Sequence, residues 1–170
     1  MCNQKPELNQ KPDKNAPIGV FDSGVGGLTV AREIMRQMPE ERIVYFGDTA
    51  RVPYGSKSQD TIIRYSRQII RFLMTKHVKA IVIACNTASA YALATVEKEF
   101  DVPIIGVIRA GARTAVQVTR NGKIGVIATE GTIGSGIYTQ EIKKLRPDIS
   151  SDKALGGDSD TNDCPHHWDF

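Results

Sequence analysis

From Pro17 onward, short β-branched runs alternate with stretches of helical spacing. Ile18 to Phe21, Ile43 to Phe46, Ala80 to Ala84, Ile104 to Val107 and Ile124 to Ala128 are compact apolar runs that read as buried strands. Between them, apolar residues recur at helical intervals: Leu28, Ala31, Ile34 and Met35; Ile62, Ile63, Ile69, Ile70 and Leu73; Ala90, Leu93, Ala94 and Val96; and, less regularly, Val116. Strands alternating with helices predict right-handed βαβ units and an α/β, doubly wound parallel sheet. Ligands of such sheets sit beyond the carboxyl ends of the strands, so the loops after each strand are where chemistry is expected.

The two ends break this pattern. Residues 1–16 are polar, with Asn, Gln, Lys and prolines, and read as a disordered leader. Pro147 ends a helix carrying Ile137, Ile142 and Leu145, and a strand is due at Ile149, but the chain continues as SSDKALGGDSDTNDCPHHWDF. That composition predicts neither strand nor helix. The organisation expected is a leader over 1–16, a first α/β domain over 17–101, the start of a second over 102–150, and an atypical, disordered tail over 151–170. An alternation that stops midway reads as a C-terminally truncated fold.

Charge and cysteine content narrow the function classes. Lys and Arg number 22 against 19 acids, and a formal charge of +3 predicts no dedicated nucleic-acid site. No apolar run approaches the roughly 20 residues of a membrane span, and the N-terminus holds no signal-peptide core, so no membrane partner and a cytoplasmic location are expected. The three cysteines, Cys2, Cys85 and Cys164, are widely spaced without a CxxC pair, which argues against a disulfide framework and a zinc site. Asp163, Cys164, His166, His167 and Asp169 resemble metal ligands only superficially, because adjacent histidines cannot easily face one ion; no metal is expected.

The loops after the strands carry the candidate chemistry. Asp22-Ser23-Gly24-Val25-Gly26-Gly27 opens a helix with a glycine-rich turn that could expose amides to an anion. It lacks the lysine of a phosphate-binding P-loop. As a dinucleotide fingerprint it has Thr29 where a third small residue belongs, and Asp48 would be its ribose acid. Asp22 would repel a pyrophosphate and better suits a zwitterion, while the plain alternative makes Asp22 or Ser23 a helix cap. The loop Asp48 to Ser56 either presents Tyr54 to a site or packs it on the sheet, and Ser58 should cap the next helix. Cys85 lies between a strand end and a helix start, where free amides and the helix dipole would lower a thiol pKa, and Asn86 and Thr87 add donors for a carboxylate. An inert buried thiol is the competing reading, and the convergence of three such loops favours chemistry. Thr129-Glu130-Gly131-Thr132 follows the fifth strand, another turn with hydroxyls near a helix start; capping explains most of it, and substrate contact is open, to Thr129 in particular.

At these loops the sequence resembles the glutamate racemases of the aspartate/glutamate racemase superfamily, through IGVFDSGVGGLTV (Ile18 to Val30), YFGDTARVPYGSKS (Tyr45 to Ser58), VIACNTASA (Val82 to Ala90) and GVIATEGTI (Gly125 to Ile133). The resemblance implies two facing α/β domains with the site between them. It implies that Cys85 is one of two catalytic thiols, taking the proton from the D-enantiomer. Asp22 and Ser23, Tyr54 and Gly55, and Asn86 and Thr87 match the substrate-binding pairs. It further implies interconversion of L- and D-glutamate without cofactor, pyridoxal phosphate included, supplying D-glutamate for peptidoglycan. Glutamate is then the small-molecule partner, and a homodimer is compatible with it. The chain departs from the family at Arg109-Ala110 and Ala128, and the Gly-Cys-Thr-His segment bearing the second thiol is absent. Little racemase activity is therefore expected of this polypeptide alone, and an unpaired sheet edge is expected in its first domain. The alternatives are a single-cysteine decarboxylase or isomerase of the same superfamily, an inactive ligand-binding fragment, and, last, a dinucleotide-binding module.

Overall fold

The computed structural model describes residues 13–155. Strands β1 (Ile18–Asp22), β2 (Ile43–Gly47), β3 (Ala80–Ile83) and β4 (Ile104–Gly106) form one sheet in the order β2-β1-β3-β4. Every pairing is parallel, with Ile18 opposite both Ile43 and Ala80, and Ile81 opposite Ile104. Each connection is helical: α1 (Leu28–Gln37), α2 (Gln59–Met74), and then α3 (Asn86–Tyr91) with α4 (Leu93–Glu99). The stretch from Ala90 to Val96 thus divides at Ala92 into two helices.

Strand alternation feeds two cores, as a doubly wound sheet requires. Val20 and Ala84 pack with Ala31 of α1 on one face. Phe21, Ile81 and Ile83 pack on the other face with Ile62, Ile69, Ile70 and Leu73 of α2 and Val96 of α4. The chain moves outward from β1 to β2, then returns past β1 to β3. The strand order therefore reverses between β1 and β3, the position at whose carboxyl ends such sheets form a ligand crevice.

Helix α5 (Val107–Val118) leaves the first sheet and leads to β5 (Lys123–Ala128), α6 (Glu130–Gly134), α7 (Ile137–Leu145) and β6 (Ser150–Leu155), with β5 and β6 paired in parallel. Ala112, Ile142 and Ile149 form the small core beneath this second sheet.

Three expectations change. The first sheet continues to Gly106, beyond the boundary expected at residue 101, because β4 pairs with β3. Residues 151–155, expected in a disordered tail, belong to β6: backbone bonding to β5 and the buried anchor Ile149 order a polar strand that side-chain content alone would not. Residues 13–16, expected in the leader, form a turn in which Ala16 is buried and Arg42 donates to the Asn15 carbonyl. Residues 1–12 and 156–170, with Cys2, Cys164 and the tail histidines, lie outside the described residues. Among the described residues β4 has no outer neighbour, and Ile105 is 58% exposed.

Candidate active site

Asp22 ends β1 at the crevice and is buried. Its Oδ2 accepts the N–H groups of Gly24 at 3.1 Å and Gly27 at 3.0 Å, so two amides of the glycine-rich turn are consumed inside the turn. Those two amides are therefore not free to meet an anion. Gly27 is required by close approach, since a Cβ there would lie 2.6 Å from Asp22 Cβ and 2.9 Å from Ala84 Cβ. Tyr45 of β2 props the turn from below, its hydroxyl donating to the Gly24 carbonyl at 3.1 Å.

Across the switch point, Cys85 is the N-cap of α3, and its Sγ accepts the Ala88 N–H at 3.4 Å. The same sulfur lies 3.5 Å from Ser23 Oγ, bringing the loops after β1 and β3 together. The thiol pKa moves opposite to expectation. Burial pushes it up, the Ala88 amide and Ser23 hydroxyl only partly offset this, and the Asp22 carboxylate raises it further. Helix α3 has 6 residues, so its dipole is short beside the desolvation of a thiol that is 6% exposed. The resting sulfur is therefore protonated at neutral pH.

The second sheet's loop completes the rim. Thr129 caps α6 by backbone position only, without a side-chain cap bond. Its Oγ1 instead lies 2.9 Å from Thr87 Oγ1 and 3.2 Å from Thr132 Oγ1, and Thr87 to Thr132 is 3.4 Å. These three hydroxyls join the two units. Gly55 docks beside them: its carbonyl accepts the Gly131 N–H at 3.2 Å, and a Cβ on it would meet Thr129 Cβ at 2.8 Å.

Of the sequence-predicted residues, Asp22 and Ser23 stand at the end of β1, Cys85, Asn86 and Thr87 just after β3, and Gly55 and Thr129 meet them through Gly131 and Thr87. The Tyr54 side chain is buried with Cys85 and Ile62 in the larger core, and its hydroxyl donates to Asp48. Burial, then that hydrogen bond, drive the phenol pKa far above its ordinary value. Arg51 Nε also donates to Asp48, at 2.9 Å, and Arg51 Nη1 donates to Gln68 Oε1 at 2.6 Å, which ties the loop to α2. Asp48 is thus an internal anchor for the loop and not a ribose acid. Ser58 caps α2 as expected, accepting the Thr61 N–H at 3.4 Å.

Sequence reasoning missed Tyr138 of α7, whose hydroxyl donates to Asn86 Oδ1 at 2.8 Å from 52 residues away. Thr132, read with its turn as a capping or substrate-contact hydroxyl, is 1% exposed and bonds Thr87 and Thr129 instead. Neither the Tyr138 bond nor the Thr132 contact with Thr87 carries a local signal, because each exists only once the second unit packs on α3. Among the described residues no group of three or more His, Cys, Asp or Glu side chains is placed to hold a metal ion, and no helix is long and apolar enough to cross a membrane.

A family model for Asp/Glu/Hydantoin racemase matches residues 18–160. A glutamate racemase of Geobacter metallireducens is 54% identical over 132 residues, covering 78% of this chain and 49% of the relative. Among solved structures, a glutamate racemase from Bacillus anthracis superposes with a TM-score of 0.82 at 46% identity, covering 84% of this chain and 54% of that one. A glutamate racemase from Francisella tularensis, solved in complex with D-glutamate, superposes with a TM-score of 0.76 at 46% identity, covering 83% of this chain and 53% of that one. The chain spans about half the length of the relatives it matches.

Proposed function

The chain belongs to the Asp/Glu/hydantoin racemase family, and from that premise we propose that it carries the D-glutamate-facing half of a cofactor-independent glutamate racemase. The observation that carries this reading is the position of Cys85. A single thiol stands at the sheet's switch point, 3.5 Å from Ser23 Oγ, flanked by Asn86, Thr87 and the Thr129 hydroxyl. In this reading the donors hold the substrate carboxylate and Asp22 faces the α-ammonium. Burial is the main reason the thiol pKa is raised and the Asp22 charge adds to it; the ammonium offsets that added part, so substrate binding shifts the thiol toward thiolate.

The Cys85 thiolate then takes the α-proton of D-glutamate. The Cα–H bond breaks, the proton goes to Sγ, and the electron pair delocalises into the carboxylate, where hydroxyl and amide donors stabilise it. Inversion needs a second acid on the opposite face, and Cys85 is the one cysteine among the described residues. Solvent exchange on the thiol followed by return of a deuteron to the same face completes a half-reaction with retention. Joined to an acid on the opposite face, the site would supply D-glutamate for peptidoglycan in the cytoplasm, with a homodimer as the assembly to be tested by light scattering.

The test is incubation of the full chain with D-glutamate or L-glutamate in heavy water, followed by mass spectrometry and chiral analysis. The expected result is α-deuteration of D-glutamate that disappears in Cys85→Ser. Absence of exchange above a protein-free control would overturn the reading.

A further inference from the structure

Asn86 opens α3 beside Cys85, and its carboxamide has two chemically opposite ends. An exposed asparagine rotates freely about its last torsion, so a contact that selects one orientation decides which end a ligand meets. Tyr138 supplies that contact. Its hydroxyl donates to Asn86 Oδ1 at 2.8 Å, and among the described residues Nδ2 donates to no protein acceptor. The oxygen is occupied, and both N–H groups remain for a ligand.

The phenol is itself fixed by packing. Tyr138 lies in the first turn of α7 and packs on Ala112 and Ile142 in the core beneath the second sheet. Gly111 of α5 makes room for it, since a Cβ there would lie 3.2 Å from the Tyr138 oxygen and 3.5 Å from Cε1. Burial keeps the hydroxyl protonated through neutral pH, so it stays a donor. The second unit thus does more than wall the crevice; it sets the polarity of a group on the first.

We propose that Tyr138 is a positioning residue that locks the Asn86 carboxamide with its amide donors toward the substrate carboxylate. The inference rests on the reading of Asn86 as a substrate contact given above. Fixing the amide before binding removes an ordering cost from the encounter, which shows as affinity and not as a faster proton transfer.

The experiment is a double-mutant cycle of Tyr138→Phe and Asn86→Ala in the full chain, read by α-deuteration of D-glutamate at varied concentration. Phenylalanine keeps the ring and its packing. Tyr138→Phe is expected to raise the half-saturating D-glutamate concentration by about five-fold, the scale of one neutral hydrogen bond, with the maximal exchange rate little changed. In the Asn86→Ala background the same substitution should have no effect. An effect of equal size in both backgrounds, or none in the first, would overturn the inference. A ligand-free arm uses the side-chain amide resonances of Asn86, identified by their loss in Asn86→Ala. They should shift in Tyr138→Phe, and unchanged positions would overturn the proposal. If the unmodified chain exchanges no α-proton, the racemase reading fails, and these resonances alone decide whether Tyr138 holds Asn86.

Discussion

Replacing Tyr54 by phenylalanine removes one hydroxyl and leaves the ring in the core with Ile62 and Ile70. What is lost is the hydrogen bond to the buried Asp48 carboxylate, which is 4% exposed. A bond to a charged acceptor contributes about 1.5–3 kcal/mol net, and the orphaned acceptor keeps its desolvation cost. Arg51 still donates to Asp48, from a side chain that is 28% exposed, so compensation is partial. A loss of about 2 kcal/mol follows. With a urea slope of about 2 kcal/mol/M, the unfolding midpoint should fall by about 1 M. The pH dependence has a definite sign. The folded phenol pKa is raised, so its contribution is fully present below the unfolded value of about 10 and is lost as pH rises above it. The gap between the two proteins should hold from neutrality to about pH 10 and shrink beyond. Urea unfolding followed by far-ultraviolet circular dichroism at pH 7, 9 and 10.5 measures this. A midpoint within about 0.2 M of the unmodified chain at pH 7 would refute the anchoring argument, because a bond of this kind cannot be worth so little.

Two further outcomes follow from the same structure. Alkylation of Cys85 by iodoacetamide, read by peptide mass spectrometry, should have its pH midpoint above the ordinary cysteine value of about 8.5, because burial outweighs the Ala88 and Ser23 donors; a rate already at plateau by pH 7 would mean the helix start wins. Ser66 of α2 is fully buried, and its Oγ has no hydrogen-bond partner among the described residues, so Ser66→Ala should stabilise the chain by about 1 kcal/mol in urea unfolding, and destabilisation would show that the hydroxyl is satisfied.

Much of this protein is legible along the chain. The runs at Ile18, Ile43, Ala80, Ile104 and Ile124 predict strands within a residue or two of those observed, because β-branched apolar runs fit the pleated strand whether buried on both faces, as β1 is, or half-exposed, as β5 is. The loops holding Asp22, Ser23, Cys85, Asn86 and Thr87 were legible for a related reason, since parallel topology sends every strand end to the same edge. Tertiary structure decided what depends on partners distant in sequence. The helix-start argument for a lowered Cys85 pKa is local and correct in sign, but it omits the desolvation that packing on α2 imposes. Tyr54 lies in a loop that reads equally as site or scaffold, and its bond to the buried Asp48 carboxylate forms only in the folded chain. Residues 151–155 lack the side chains of a strand, yet the open edge of β5 offers backbone bonds to whatever follows Ile149. Tyr138 and Thr132 enter the crevice only after the second unit docks on α3. Periodicity and turn chemistry are properties of neighbours in sequence and can be read from it. Burial, hydrogen-bond pairing across the crevice and the protonation that follows belong to neighbours in space.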